Sequence, residues 1–165
     1  MYIFCTSCYN NWKRIKQSKT NGRQYIPMEL CVFTEDKISD VIQFEQELRR
    51  QEPDTYFWQT DASYRQHVEK SFTDELHRKA AVSLLAYDRG RVIGRIDAGY
   101  LFSHFDGTVC DAYLDWIAVL KEYRHQGVAQ LLLQGLKQLL KKNGITSVIV
   151  LTAENPEAKK FYDSL

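Results

Sequence analysis

The hydrophobic period of this chain changes at Ala81, and this change constrains the fold more than any other feature of the sequence. Before Ala81 the apolar residues recur at helical spacing, whereas AVSLLAYD, RVIGRIDAGYLF and TVCDAYLDWIAVL are extended patterns rich in strand-forming residues. Arg89-Gly90 and Asp106-Gly107 separate these segments, and each pair holds the glycine that a tight turn favours. The sequence therefore predicts three consecutive antiparallel strands.

Other elements are predicted on the N-terminal side of this block. The segment MELCVF at residues 28–33 predicts a first strand, and Ser39 or Asp40 is predicted to cap the helix that follows it. One face of that helix is formed by Val41, Phe44, Glu45 and Leu48. A second amphipathic stretch, polar on most faces, is predicted from Asp61 to about Lys79.

Three elements are predicted after the three strands. Residues 127–143 form a leucine-rich helical pattern that Gly144 ends as a C′ residue. The continuous apolar run SVIVLT predicts a strand buried on both faces, and residues 155–164 predict a last helix. The predicted class is α/β (α+β), with a mixed central sheet and the element order β-α-α-β-β-β-α-β-α.

Length and charge limit the function classes that fit the chain. Its 165 residues, 44% of them hydrophobic, suit one domain with a real core. Five of the 22 basic residues and none of the 21 acidic residues lie in residues 1–27, which leaves 17 basic against 21 acidic residues in the remainder. We therefore expect a basic, disordered N-terminal extension at 1–27, a folded domain at 28–165, and no nucleic-acid partner.

Hydropathy and cysteine spacing predict a cytoplasmic protein with no membrane segment and no metal. No apolar run approaches the ~20 residues that span a bilayer. Cys5 and Cys8 have C-x-x-C spacing, but no second pair follows at zinc-finger spacing. Cys31 and Cys110 lie in apolar segments and are predicted to be core thiols of a reducing compartment.

The junction between the long strand and the leucine-rich helix is the strongest candidate for a binding site. A helix that starts at Gly127 presents backbone N–H groups without partners beside the positive end of its dipole, and an anion fits there. Glycine allows a phosphate to approach closely, small Ala129 keeps the next turn open, and Arg124 adds positive charge. From these residues alone, an ordinary strand-to-helix turn remains the alternative.

Residues 124–129, RHQGVA, resemble the [RQ]-x-x-G-x-[GA] signature of the GNAT superfamily of N-acetyltransferases. The preceding LDWIAVLKEYR is similar to the family's strand and loop, and the downstream NPEAKKFYDSL is similar to its N-x-x-A-x-x-F-Y helix, through Asn155 and Tyr162 among others. The resemblance covers about residues 28–165 and implies a GNAT-like fold that uses acetyl-CoA as co-substrate.

The resemblance also implies where the cofactor binds. Backbone amides of the loop and first helical turn hold the pyrophosphate in that family, and the pantetheine arm pairs with the preceding strand where it splays from SVIVLT. The cofactor-binding residues that it implies are Ile117, Ala118, Val119, Arg124, His125, Gln126, Gly127, Val128, Ala129, Gln130 and Asn155.

The resemblance further implies that the Tyr162 hydroxyl is the general acid that protonates the departing thiolate, with packing of the last helix as the alternative. Asp115 and Asp111 are candidates either to accept the ammonium proton, with Asp115 the preferred base, or only to attract a cationic amine. Trp58 falls where the family builds its substrate lip, and a core role for it is equally open.

The most favoured function is acetyl transfer to a primary amine of a small cationic molecule. A protein N-terminus or lysine is an alternative acceptor, and a non-catalytic acetyl-CoA-binding module or an interaction protein is an alternative class. The family's two strands after the last helix have no counterpart before Leu165. Pairing between two chains would protect the edge of SVIVLT, so the sequence predicts a homodimer with residues 147–152 or the N-terminal arm at the interface. Residues 1–27 of the same chain are the alternative cover for this edge.

Overall fold

The structure, a computed structural model, describes residues 28–103, 109–145, 147–150 and 159–160. In chain order its elements are β1 (Glu29–Val32), α1 (Ile38–Gln51), α2 (Ala62–Thr73), α3 (Glu75–Ala80), β2 (Ala81–Asp88), β3 (Arg91–Ser103), β4 (Val109–Val119), α4 (Val128–Lys142) and β5 (Val148–Val150). Short 3₁₀ turns precede α1 and α4, at Glu35–Lys37 and Lys121–Tyr123.

The five strands form one mixed sheet in the order β1-β2-β3-β4-β5. The first four are antiparallel neighbours, and β5 runs parallel to β4. The β2–β3 hairpin turns at Arg89 and Gly90, which have φ of 48° and 79°. Two successive positive φ values are what a two-residue hairpin turn of type I′ requires. The predicted mixed sheet and this predicted hairpin are confirmed.

A β-bulge interrupts β4 beside its midpoint. Asp97 of β3 pairs with Trp116, and the next residue, Ala98, pairs with Leu114, so Asp115 is the extra residue. A bulge bends its strand and resets the alternation of side chains. Asp111 and Asp115 are four residues apart on β4, but with the bulge between them simple alternation does not place them on one face.

Each face of the sheet has its own apolar core. On one face α4 packs through Val128, Leu132 and Leu136 against buried residues of β2, β3 and β4. On the other face α1 packs through Val41, Phe44 and Leu48 against Leu85, Val92, Ala118 and Leu120. The central strands are thus covered on both faces of the sheet. The junction between β4 and α4 follows the C-terminal end of β4.

Three local predictions need correction. Helix α1 begins at Ile38 behind a 3₁₀ turn and has Lys37 at its N-cap, so neither Ser39 nor Asp40 caps it. The polar stretch after Asp61 forms two helices, because the Asp74 carboxylate accepts the N–H of His77 and starts a new one. In β5, Ile149 is 43% exposed, so the described part of this strand is not buried on both faces.

Several predictions fall on residues outside those that the structure describes. They concern the extension at 1–27, the Asp106-Gly107 turn, the end of the SVIVLT strand and most of the last helix, of which 159–160 are helical. The homodimer also stays a prediction.

Replacing Gly94 with alanine should destabilise the fold by about 1–3 kcal/mol, the usual cost of overpacking. A Cβ at this β3 position would lie 3.0 Å from side-chain carbons of both Val128 and Leu132 and 3.3 Å from the Ala118 carbonyl oxygen. Gly94 therefore allows the first turns of α4 to approach the sheet closely. Urea unfolding of the parent and the variant measures the difference.

Gly99→Ala is the matched control on the same strand. Its Cβ would meet nothing closer than the Ala80 carbonyl oxygen at 3.7 Å, an ordinary contact. Equal loss of stability in the two variants would show that α4 does not depend on the space at Gly94.

Candidate cofactor and acceptor site

The chain between β4 and α4 has a distinctive backbone. After the 3₁₀ turn at Lys121–Tyr123, His125 and Gly127 both have positive φ, of 58° and 84°. The first bond of α4 joins the Leu131 N–H to the Gly127 carbonyl oxygen at 2.9 Å. The N–H groups of residues 128–130 therefore have no acceptor inside α4 itself.

The geometry at the start of α4 fits an anionic group. Gly127 is the N-cap and has no side chain to fill the space in front of the three N–H groups. Within this fully described helix, the first turn carries no acidic residue that would repel an anion. A positive φ also favours glycine for backbone reasons alone, so Gly127 serves the turn as well as any ligand.

The side chains around this turn hold it against the body of the protein. Val128 is buried, Ala129 is half-buried, and Gln130 and His125 are exposed. The Gln126 side-chain amide donates to the Glu122 carbonyl oxygen at 2.6 Å. A local side-chain hydrogen bond therefore braces the loop, and Val128 anchors the first turn of α4 in the core.

The Arg124 side chain is hydrogen-bonded to other residues of the protein on the inner side of the loop. Its Nε donates to the Val119 carbonyl oxygen at 3.1 Å, and its two terminal nitrogens donate to the two carboxylate oxygens of Glu52. Both side chains are 22% exposed. The structure thus places Arg124 against the end of β4.

The predicted cofactor-binding part of β4 lies past the bulge. Ile117 is half-buried, and Ala118 and Val119 are buried. The described part of β5 pairs with residues 112–114, before these three positions along β4. The Leu120 N–H donates to Ile93 of β3, so by alternation the N–H and carbonyl of Val119 face the opposite edge.

An aromatic cluster covers the α1 face of the sheet beside the bulge. The ring of Trp116 lies 5.9 Å from that of Trp58 and 6.3 Å from that of Tyr56, both in edge-to-face geometry. Trp58 is half-buried, and its indole N–H donates to the Glu45 carboxylate at 3.0 Å. Neighbouring Phe57 is 77% exposed. The α1–α2 connection therefore packs two aromatic side chains, those of Tyr56 and Trp58, against the sheet and leaves a third, that of Phe57, in solvent.

A buried ionic network supports this cluster. Glu45 on α1 is 2% exposed and accepts a 2.6 Å hydrogen bond from the Arg95 guanidinium, which also donates to Asp97 at 2.9 Å. Burial alone would lower the pKa of Arg95, but the carboxylates of Asp97 and Glu45 raise it above its ordinary value. Burial, and then a hydrogen bond with Glu45, raise the pKa of Tyr64, so this phenol stays neutral.

The three acidic residues named on β3 and β4 have different surroundings. Asp115 is exposed at the bulge, and Asp111 accepts a hydrogen bond from the Ser147 hydroxyl. Asp97 is paired with Arg95, so its negative charge is compensated. Tyr162 and Asn155 lie outside the described residues, and their roles stay predictions.

Sequence reasoning missed the network and the tie between Arg124 and Glu52. One signal was available, because Glu45 interrupts an otherwise apolar helix face and Arg95 stands between apolar strand residues. A charged residue in such a place needs a buried partner. The residues adjacent in the sequence do not indicate which residue that partner is.

Neither a metal centre nor a membrane-spanning helix is found among the described residues. No group of three or more His, Cys, Asp or Glu side chains among them could hold a metal ion. None of the helices in the described ranges is long and apolar enough to cross a membrane.

The chain is similar to a known protein family and to a characterised relative. The model of a family described as the acetyltransferase (GNAT) family matches residues 41–165. N-alpha-acetyltransferase 30 of Schizosaccharomyces pombe is 30% identical over 103 residues, which make up 62% of this chain and 65% of that protein.

Solved structures show the same fold at low identity. An aminoglycoside acetyltransferase from an uncultured soil metagenomic sample, in complex with sisomicin, has a TM-score of 0.69 at 17% identity and covers 83% of this chain and 86% of its own. AAC(6′)-Iy in complex with a CoA-linked bisubstrate analogue has a TM-score of 0.65 at 18% identity. The match covers 83% of this chain and 88% of that protein's chain. The GNAT-like fold predicted from the sequence is confirmed.

Proposed function

Because this chain belongs to the acetyltransferase (GNAT) family, we propose that it transfers the acetyl group of acetyl-CoA to a primary amine. The observation that carries this proposal is the start of α4, where three helical N–H groups without an acceptor in the helix stand behind a side-chain-free Gly127. Such a helix start binds phosphates through its amides and its dipole.

The proposed cofactor site extends from α4 to β4. The amides of residues 126–130 bind the diphosphate, and the backbone of Ile117, Ala118 and Val119 pairs with the pantetheine arm. The edge of β4 that bears the Val119 N–H faces away from β3, which suits both pairing and donation to a developing oxyanion. The structural neighbour solved with a CoA-linked analogue supports acetyl-CoA as the co-substrate.

The chemistry requires a neutral amine and a proton for the leaving thiolate. Bound acetyl-CoA supplies an activated acyl group as its thioester. Asp115, exposed at the bulge, accepts the ammonium proton directly or through water, and the Tyr162 hydroxyl donates a proton to the thiolate sulfur. Trp58 and Asp111 are the proposed acceptor-binding residues.

Two acceptor classes are supported by different observations. A small cationic amine is favoured by the exposed carboxylate of Asp115 and by the structural neighbour bound to sisomicin. A protein N-terminal amine is favoured by the relative named as an N-alpha-acetyltransferase, whose 30% identity exceeds that of the neighbours described above. We place the small cationic amine first, because the exposed carboxylate of Asp115 at the bulge would attract a cation.

A panel of amines tests the function and the acceptor class together. Thiol release from acetyl-CoA is measured with aminoglycosides, polyamines and short peptides with free or blocked N-termini. We expect turnover with the cationic small amines, and turnover only with free-N-terminus peptides would select the second class. Binding of acetyl-CoA by calorimetry without turnover on any acceptor would indicate a non-catalytic module, and no binding would contradict the proposed function.

A further inference from the structure

We propose that Glu52 and Arg124 form a positioning pair, and that Arg124 supports acetyl-CoA binding by fixing the end of β4 and the loop before α4, without itself contacting the diphosphate. This inference rests on the proposed function. It assigns a role to Glu52, which the family signature does not contain, and changes the role of Arg124.

The first support is the direction of the guanidinium. One nitrogen donates to the Val119 carbonyl oxygen, and the other two donate to Glu52, one at 3.1 Å to Oε1 and one to Oε2. A fork of parallel bonds to one carboxylate fixes the orientation of the guanidinium plane. The Val119 carbonyl lies on the edge of β4 that faces away from β3, so Arg124 holds the strand edge proposed to pair with pantetheine.

The second support is the compensated charge. Both side chains are about four-fifths buried, and each would be left with a poorly solvated charge if its partner were removed. A guanidinium already neutralised by a carboxylate adds little net attraction for an anion. The unpaired N–H groups of α4 remain as the main source of positive potential at the loop.

The third support comes from Gln51, the residue of α1 that precedes Glu52. The Gln51 side chain accepts the Lys121 backbone N–H at 2.9 Å and donates to the Glu122 carboxylate at 2.8 Å. Gln51 and Glu52 together therefore hold both ends of residues 121–124. The C-terminal end of α1 is therefore a platform, in the sense that its side chains bind and position residues 121–124, the cofactor loop.

This platform also reaches the acceptor side. Glu52 is the C-cap of α1, and its carbonyl oxygen accepts the N–H groups of Thr55 at 3.1 Å and Tyr56 at 2.9 Å. Tyr56 in turn packs against Trp58 and Trp116. The pair therefore joins the cofactor loop to the base of the connection that carries the aromatic cluster.

A double-mutant cycle on the full chain tests the pair. The dissociation constant of acetyl-CoA is measured by calorimetry for the parent, Glu52→Gln, Arg124→Gln and the double variant. We expect about a fivefold to tenfold weaker affinity for each single variant, equivalent to the loss of one partly buried ion pair, and a double variant no weaker than Arg124→Gln. Glu75→Gln, which removes an exposed carboxylate paired with Lys79, should leave the affinity unchanged.

Arg124→Lys separates positioning from direct phosphate contact. Lysine keeps the positive charge and binds phosphate well, but it cannot make the fork to Glu52 together with the bond to Val119. We expect Arg124→Lys to bind acetyl-CoA as weakly as Arg124→Gln. Affinity near that of the parent in Arg124→Lys, or tighter binding in Glu52→Gln, would overturn the proposal.

Thermal unfolding without ligand makes this test independent of the proposed function. If the pair exists, the losses of Tm in the two single variants are not additive in the double variant. Additive losses would overturn the pair even in a chain that binds acetyl-CoA. Failure of the parent to bind acetyl-CoA, with non-additive unfolding, would contradict the function and leave the pair intact as a structural element.

Discussion

Tyr162→Phe should lower the turnover number about 100-fold and leave the acetyl-CoA dissociation constant nearly unchanged, as expected for loss of a general acid. The substitution keeps the aromatic ring and removes only the hydroxyl that is proposed to protonate the thiolate. Steady-state thiol release with the best acceptor from the amine panel gives the turnover number, and calorimetry gives the affinity.

The same substitution at Tyr87 provides a control. The Tyr87 hydroxyl donates to Asp40 at 2.8 Å, and its strand, β2, does not pair with β4. Tyr87→Phe therefore removes a hydrogen-bonded phenol from a strand that carries none of the proposed site residues, and it should leave turnover unchanged. If Tyr162→Phe also retained its turnover in a single-turnover measurement, where product release cannot mask chemistry, Tyr162 would have only a packing role.

The parts of the fold that the sequence predicted are those with local signals. The hairpin at Arg89-Gly90 and the end of α4 at Gly144 each need a positive φ, and a glycine at that position reveals the need. The division between α2 and α3 also had a signal, since Asp74 stands three residues before His77 in an N-cap pattern. The apolar residues keep a helical period on both sides of Asp74, so the sequence pattern predicted one continuous helical stretch.

The parts of the site that the sequence did not predict depend on residues that are distant in the chain. Arg95 pairs with a carboxylate 50 residues away, and Arg124 with one 72 residues away. The bulge at Asp115 likewise arises from the register between two strands and not from its own residue type. A motif can therefore place the loop that binds an anion, while the contacts that position the loop emerge only from tertiary packing.

Gly127→Ala should weaken acetyl-CoA binding on the order of 100-fold, because charge-assisted amide bonds to the diphosphate contribute about 1.5–3 kcal/mol each. A Cβ at this N-cap would stand in front of the N–H groups of residues 128–130. The φ of 84° also makes any side chain strained here, so some loss of stability is expected, about 1–2 kcal/mol. Calorimetry measures the affinity, and urea unfolding measures the strain.

Gly144→Ala separates strain from loss of binding at the other end of the same helix. Gly144 has a φ of 78°, and a Cβ there would meet no atom within 4 Å. The two variants should therefore lose similar stability, while only Gly127→Ala loses affinity. Gly127→Asn adds a second comparison, because asparagine tolerates a positive φ better than alanine but still places a side chain before the amides. Asparagine should therefore recover part of the stability and none of the affinity. A Gly127→Asn protein that bound acetyl-CoA as tightly as the parent would mean that the start of α4 is only a turn and that the diphosphate binds elsewhere.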